Sequence, residues 1–345
     1  MTTRADSETA ELRLLQLHAR MAHRFHRAEP RRRSLAYVQG LLSEAHRKNG
    51  LAIAHRSGAR SPDGMHRLLR SANWDVDGVR DDIREFVVER LRPHSADGAG
   101  VVLVGEVEFL KSGRYSVGVA REFVPRLQRS ENCQIGVFCA YLTERGCGLI
   151  DRALYVPPSW ADDPQRCATA NVPQGTVSVE RPELARRMIA RALDAGLPAS
   201  LVVSLDPYGR HAGLRAWLDE RNISYALGET WARAASSDTA TGIVPVRVPR
   251  RAPPRASSDP AGERLPEHWL LSDSAGPAAR LVCSMRQGAG AAEVARALNA
   301  DLAFRRLLRA AQEFAGLNQY QGRMWHGWYR HITLSMLASA CLLLP

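Results

Sequence analysis

The chain has 345 residues, more than one hydrophobic core usually holds, so two to three domains are expected. Its residues are 45% hydrophobic and 24% charged, which excludes wholesale disorder. Lys+Arg 47 against Asp+Glu 36 leaves a formal charge of +11, which suits a polyanionic partner, although Lys48 and Lys111 are the only lysines.

The first ~95 residues, 1–95, read as a helical domain with basic edges. Leu12, Leu14, Leu15, Leu17 and Met21 form an apolar helical stripe, and the opening MTTRADSETAELRLLQ lacks the apolar centre of a signal peptide. Pro30 restarts the chain at a first helical turn, and Leu35, Val38, Leu41 and Leu42 follow at spacings of three and four. A third helix opens with Ser61 as cap and Pro62 in the first turn, and runs through Met65, Leu68 and Leu69. Asp75 or Asp77 opens a fourth, through Val79, Ile83, Phe86, Val87 and Leu91. Arg31, Arg32 and Arg33 with Arg24, Arg27, His23 and His26 make the densest basic cluster, fit for DNA phosphates or simply a solvated helix face. Arg67 and Arg70, three apart, suit a groove-reading helix.

From Gly98 the period changes, and residues 96–228 read as a mixed α/β core. Val101 to Val104 is a central strand, with Tyr115 to Val119 and Gln134 to Tyr141 as antiparallel neighbours. Arg181 to Leu193 is an amphipathic helix, Leu201 to Val203 a buried strand, His211 to Glu220 a helix, and Ile223 to Ala226 a short strand. Residues 229–290 read as an insertion. Its Pro/Arg-rich part, 233–265, is either a flexible linker or a tether whose Arg247, Arg250, Arg251 and Arg255 follow a nucleic-acid backbone. Strands at His268–Leu271 and Ala279–Ser284 complete it. Helices return over 291–345, at Ala291–Phe314 and Trp325–Leu343. Trp325, Trp328, Tyr329 and Ile332 share one helical face, suited to core packing or to base stacking. The apolar ITLSMLASACLLLP is too short for a membrane span and reads as a buried helix.

Six cysteines (Cys133, Cys139, Cys147, Cys167, Cys283 and Cys341) form no CxxC pair and no zinc-ligand spacing, as free thiols of a reducing compartment would. The expected location is cytoplasmic and nucleoid-associated. Neither a GxGxxG nor a GKS/T phosphate loop occurs, which leaves nucleotide-driven chemistry unsupported.

Ten blocks, in order, resemble the DDE-superfamily transposases of bacterial insertion sequences, in the branch whose RNase H-like domain carries a β-rich insertion. They are RFHRAEPRRRSLAYVQGLL (24–42), RKNG (47–50), SPDGMHRLLRSANWDVDGVRDDIREFVVERL (61–91), FLKSGRYSVGV (109–119) and ENCQIGVFCAY (131–141). They continue with LIDRALYVPPSWADDPQRC (149–167), PELARRMIARAL (182–193), PYGR (207–210), LRAWLDERNISYAL (214–227) and GLNQYQGRMWHGWYRHITLSMLA (316–338). The resemblance implies an RNase H-like mixed sheet flanked by helices, and two-metal DNA cleavage by three carboxylates.

Those carboxylate positions fall on Gly105, Leu205 and Arg305. Neighbouring acids are the fallback: Glu106, Asp206 and Glu313. Side chains alternate faces along a strand, so Glu106 and Glu108 point away from the face of residue 105. Asp206 shares that difficulty unless a bulge at Pro207 swings it back. Glu313 lies eight residues beyond Arg305, about 12 Å along the helix. No catalytic residue, metal or cofactor is therefore expected, with Mg2+ or Mn2+ required only if the displaced acids work. The DNA-binding set implied is Arg24, Arg27, Arg31, Arg32, Arg33, Arg67, Arg70, Lys111, Arg305, Arg306, Arg330 and His331. The expected function is a DNA-binding transposase relative that does not cleave, acting on double-stranded DNA such as transposon ends, away from membranes. The alternatives are an active metal-dependent transposase, and a protein-interaction relic. A homodimer, or a heterodimer with an intact transposase, is compatible with each.

Overall fold

The computed structural model describes residues 4–45, 47–94, 100–230, 244–247, 266–273, 276–285 and 290–345. Five helices come first: α1 (Arg4–Arg20), α2 (Ala28–Leu41), α3 (Gly50–Arg56), α4 (Asp63–Arg70) and α5 (Val76–Arg90). Side-chain caps start two of them. Asn49 Oδ1 accepts from the Ala52 amide at 2.9 Å, opening α3, and Asp75 Oδ1 accepts from Gly78 at 2.8 Å, opening α5. Replacing Asp75 with Ala is expected to cost about 1 kcal/mol, read as a lower urea midpoint at unchanged slope.

Strands β1 (Gly100–Leu110), β2 (Ala120–Val124), β3 (Arg129–Thr143) and β4 (Gly146–Leu154) follow as an antiparallel set. Two short helices, α6 (Pro158–Ala161) and α7 (Pro164–Thr169), lead to α8 (Arg181–Asp194), and then β5 (Ala199–Ser204), α9 (Ala212–Glu220) and β6 (Ser224–Gly228) alternate. β3 pairs antiparallel with β1, while β5 runs parallel to β1 and β6 parallel to β5. β2 and β4 share the outer edge of β3. The insertion contributes β7 (Val244–Arg247), β8 (Glu267–Asp273) and β9 (Gly276–Ser284), and β9 docks antiparallel on β6. Among the described residues, nine strands thus form one sheet. Most of the 233–265 linker, with Arg250, Arg251 and Arg255, lies outside the described residues; Arg247 ends β7 and pairs with Glu267 at 2.7 Å.

Two long helices complete the chain, α10 (Ala291–Phe314) and α11 (Trp325–Leu343). α10 crosses β1 and β5, whereas α11 packs on β4 and on α1, α2, α4 and α5. Every residue of α11 from Gly327 to Cys341 is buried except Tyr329, which is half-buried. The helical layer and the sheet consequently share one apolar core, from Leu14 and Tyr37 to Phe138 and Trp328.

Two local expectations change. Tyr115–Val119 is a turn rather than a strand, exposed at Tyr115 and buried from Val117 to Val119, and the strand starts at Ala120. Its backbone bonds leave the ladder: Val117 N–H donates to Arg323 O at 3.0 Å, and Gln134 Nε2 donates to Val117 O. Gly118 sits there at φ +71°, and a Cβ would meet Tyr155 O at 2.7 Å. β4 was not expected because Asp151 and Arg152 interrupt its apolar run. Both are buried and partnered: Asp151 Oδ2 takes Arg191 Nε and Nη2 at 2.9 Å, and Arg152 Nη1 reaches Asp77 at 3.0 Å.

Candidate functional site

Parallel pairing of β1 with β5 stops at Leu103–Val203, and beyond it β5 turns away. The β1 amide of Glu106 would otherwise lack a partner there, and Asp206 supplies one: its Oδ2 accepts from Glu106 N–H at 2.8 Å. On α10, Asp301 Oδ1 accepts from Leu205 N–H at 3.3 Å. Arg305, one helical turn on, joins the two acids. Its Nε lies 2.6 Å from Asp301 Oδ2 and its Nη2 3.7 Å from Asp206 Oδ1. All four carboxylate oxygens therefore face protein donors.

The electrostatics follow from burial. Asp206 is only 4% exposed, and burial pushes its carboxyl well above the usual aspartate range despite the opposing Arg305 charge. Burial works against the Arg305 cation, yet Asp301 and Asp206 hold the guanidinium above its ordinary value. Gly105 lies on the same face, where a Cβ would meet Phe304 Cε1 at 2.8 Å and Asp206 Oδ2 at 3.0 Å. Glu106 turns the other way and binds Arg181 Nη1 at 2.7 Å, while Arg181 Nη2 holds Glu122 at 2.9 Å. Burial raises the Glu106 carboxyl, and Arg181 opposes the rise.

Of the expected positions, the fold brings together Gly105, Leu205, Asp206 and Arg305. Glu313 is not among them. It lines a separate hollow of about 880 Å³ beside Lys48 and Arg56. Asp301 escaped sequence reading, although its i, i+4 spacing from Arg305 is the ordinary signal of a helical ion pair. Arg181 had no such signal, since 75 residues separate it from Glu106. Among the described residues, no group of three or more His, Cys, Asp or Glu side chains is placed to hold a metal ion.

The basic residues divide into two kinds. Arg27 just before α2 and Arg31 and Arg32 on it are exposed, as are Arg67 and Arg70 on α4 and Arg306 on α10. Arg33 pairs with Glu29 at 2.9 Å. Arg24 grips Asp82 with two nitrogens at 2.8 and 3.0 Å, tying the turn before α2 to α5. Lys111 Nζ donates to Tyr320 O at 2.8 Å, and burial lowers its ammonium to about 8. Arg330 is buried and donates to Leu69 O at 3.2 Å and Ala72 O at 2.6 Å, pinning α11 to the end of α4. His331 lies between Tyr37 OH at 2.9 Å and Gly316 O at 3.0 Å. The carbonyl can only accept, so Nε2 carries the proton and Nδ1 receives the tyrosine hydroxyl. Burial drops His331 to about 4, so the ring is neutral near neutral pH.

Three sheet strands in antiparallel order, two parallel strands beyond them, and a helix crossing the central pair make an RNase H-like core, with its polar cluster where β1, β5 and α10 meet. The chain belongs to the DDE superfamily endonuclease family, whose model matches residues 20–289. That match ends before α10, so Asp301 and Arg305 lie beyond it. A curated relative, the probable transposase for insertion sequence element IS701 of Microchaete diplosiphon, is 23% identical over 189 residues. The match covers 54% of this chain and 46% of the relative, so the chain spans about half the length of that protein. Among solved structures, a Mos1 transposase paired-end complex with left transposon end matches at 16% identity over 59% of each chain, with a TM-score of 0.19. Among the described residues, no helix is long and apolar enough to cross a membrane.

Proposed function

We propose that this transposase-family protein binds double-stranded DNA, transposon ends being the natural target, and does not cut it. One observation carries the reading: Arg305 clasps Asp301 and Asp206 at the junction of β1, β5 and α10. A two-metal site needs free carboxylate oxygens from three acids. Here Gly105 offers none, Glu106 is held by Arg181 on the opposite face, and Asp206 and Asp301 have every oxygen directed at a protein donor. Two divalent ions would have to displace a guanidinium already neutralising those acids, so the residues present do not fit the pair. Duplex affinity instead comes from the exposed Arg27, Arg31 and Arg32 at the start of α2 with Arg67 and Arg70 of α4.

The test is a gel-shift titration beside a plasmid-nicking assay. Affinity is expected to fall with salt, with a log–log slope of about −4.5 if all five arginines meet phosphates, and to be indifferent to EDTA. Supercoiled plasmid is expected to survive Mn2+. Nicking that requires Mn2+ and disappears in Asp206→Ala would refute the proposal.

A further inference from the structure

Three hollows join into one groove across the face where the α10–α11 connection meets α4 and the end of β1. The first, about 450 Å³, lies over His66, Arg67, Arg70 and His326. The middle one, about 350 Å³, shares His66, Arg70 and Met324 with it. The third, about 490 Å³, shares Tyr320, Gln321 and Arg323 with the second and reaches Lys111 and Tyr115. Asp63 is the one carboxylate on the walls of the three hollows, against Arg67, Arg70, Lys111 and Arg323. The groove is thus a cationic track.

Its middle is different in kind. Tyr37, Leu69, Tyr320 and Met324 line a mainly apolar recess between the two polar ends. At the far rim the Tyr115 ring is 67% exposed, and the Arg323 guanidinium stands 5.6 Å from its centroid. Exposed Asn318 and Gln321 add amide donors and acceptors beside it. Exposed aromatic and guanidinium planes along a cationic track are what unpaired bases stack on. A paired base stays enclosed in its duplex and cannot enter a recess, whereas an unpaired one can.

We infer that this groove holds a single DNA strand, with backbone phosphates along Arg70 and Arg323, one base on Tyr115 and one in the Tyr320 recess. The inference rests on the DNA-binding reading above and extends it from the duplex arginines Arg67 and Arg70 into an adjoining site for the unpaired part of a DNA substrate.

The discriminating variant is Tyr115→Ala with Arg323→Ala, two exposed residues that are not among the five arginines assigned to the duplex. Fluorescence anisotropy with a labelled oligo-dT is expected to show affinity about tenfold weaker than wild type, with the salt slope shallower by about 0.7. Duplex affinity is expected to stay within about twofold. Independently of any variant, photocrosslinking of 5-iododeoxyuridine oligonucleotide to the wild-type protein should mark residues 318–324 or Tyr115. Unchanged oligo-dT affinity, an equal loss on duplex, or adducts confined to residues 24–33 would overturn the inference. So would polyglutamate binding that the same variant abolishes, which would make the groove a site for acidic peptide. A wild-type protein that binds duplex but no single strand defeats this inference alone, whereas binding neither defeats the DNA-binding reading as well.

Discussion

Replacing Arg305 with Met is expected to destabilise the protein by about 3–5 kcal/mol, because it leaves two buried carboxylates without their cation. Met keeps most of the side-chain volume, so the loss isolates the charge. Asp301 and Asp206 would each retain a single backbone donor, from Leu205 and Glu106. The penalty should depend on pH in a definite direction. The folded-state Asp206 carboxyl is already raised by burial, and without the guanidinium it rises further. A group raised in this way is most compatible with folding below the ordinary aspartate range, and its contribution is lost as pH rises through the folded value. The stability gap between wild type and variant, measured by urea unfolding, should therefore be wider on the alkaline side and narrow on acidification. A gap that widens on acidification would mean that Arg305 is not neutralising these acids.

Gly105→Asp, which puts an acid where the resemblance expects the first carboxylate, is expected to lose stability without gaining activity. The new Cβ would press on Phe304 Cε1 and Asp206 Oδ2 at 2.8 and 3.0 Å. Overpacking alone costs about 1–3 kcal/mol, and a second carboxylate beside Asp206 adds repulsion. Arg305 would remain between the acids. Chemical denaturation should show the loss, and a plasmid assay should show no Mn2+-dependent nicking. Recovery of nicking by this single change would mean that the arginine clasp yields readily to metal.

Much of the architecture was legible because the signals were periodic. The apolar stripes of α2 and α5, the continuous run Val101–Val104 and the uninterrupted apolar tail that became α11 all follow from burial of one face or of every face. β4 was hidden because Asp151 and Arg152 are interior residues satisfied by α5 and α8, and no local pattern announces partners so distant. The place of the site was legible from the resemblance, but its contacts were not. Positions 105, 205 and 305 were singled out only as the places where the resemblance expects carboxylates, whereas Asp301 could be found only by asking what a half-buried arginine leans on. The basic residues show the same limit. Arg31 and Arg330 look alike in sequence, yet one faces solvent and the other binds the carbonyls of Leu69 and Ala72.

The place of α11 also shapes how the molecule can be made. The inward faces of α1, α2, α4 and α5 close upon a helix that leaves the ribosome more than two hundred residues after them, and Arg13 finally reaches Leu344 O. Until then those early helices lack the element that most of them pack against, and the pairing of distant segments makes assembly slow. The nascent chain must therefore keep a sticky half-bundle out of trouble for most of its synthesis, a window in which chaperones, rather than the finished contacts, govern how much protein a cell obtains.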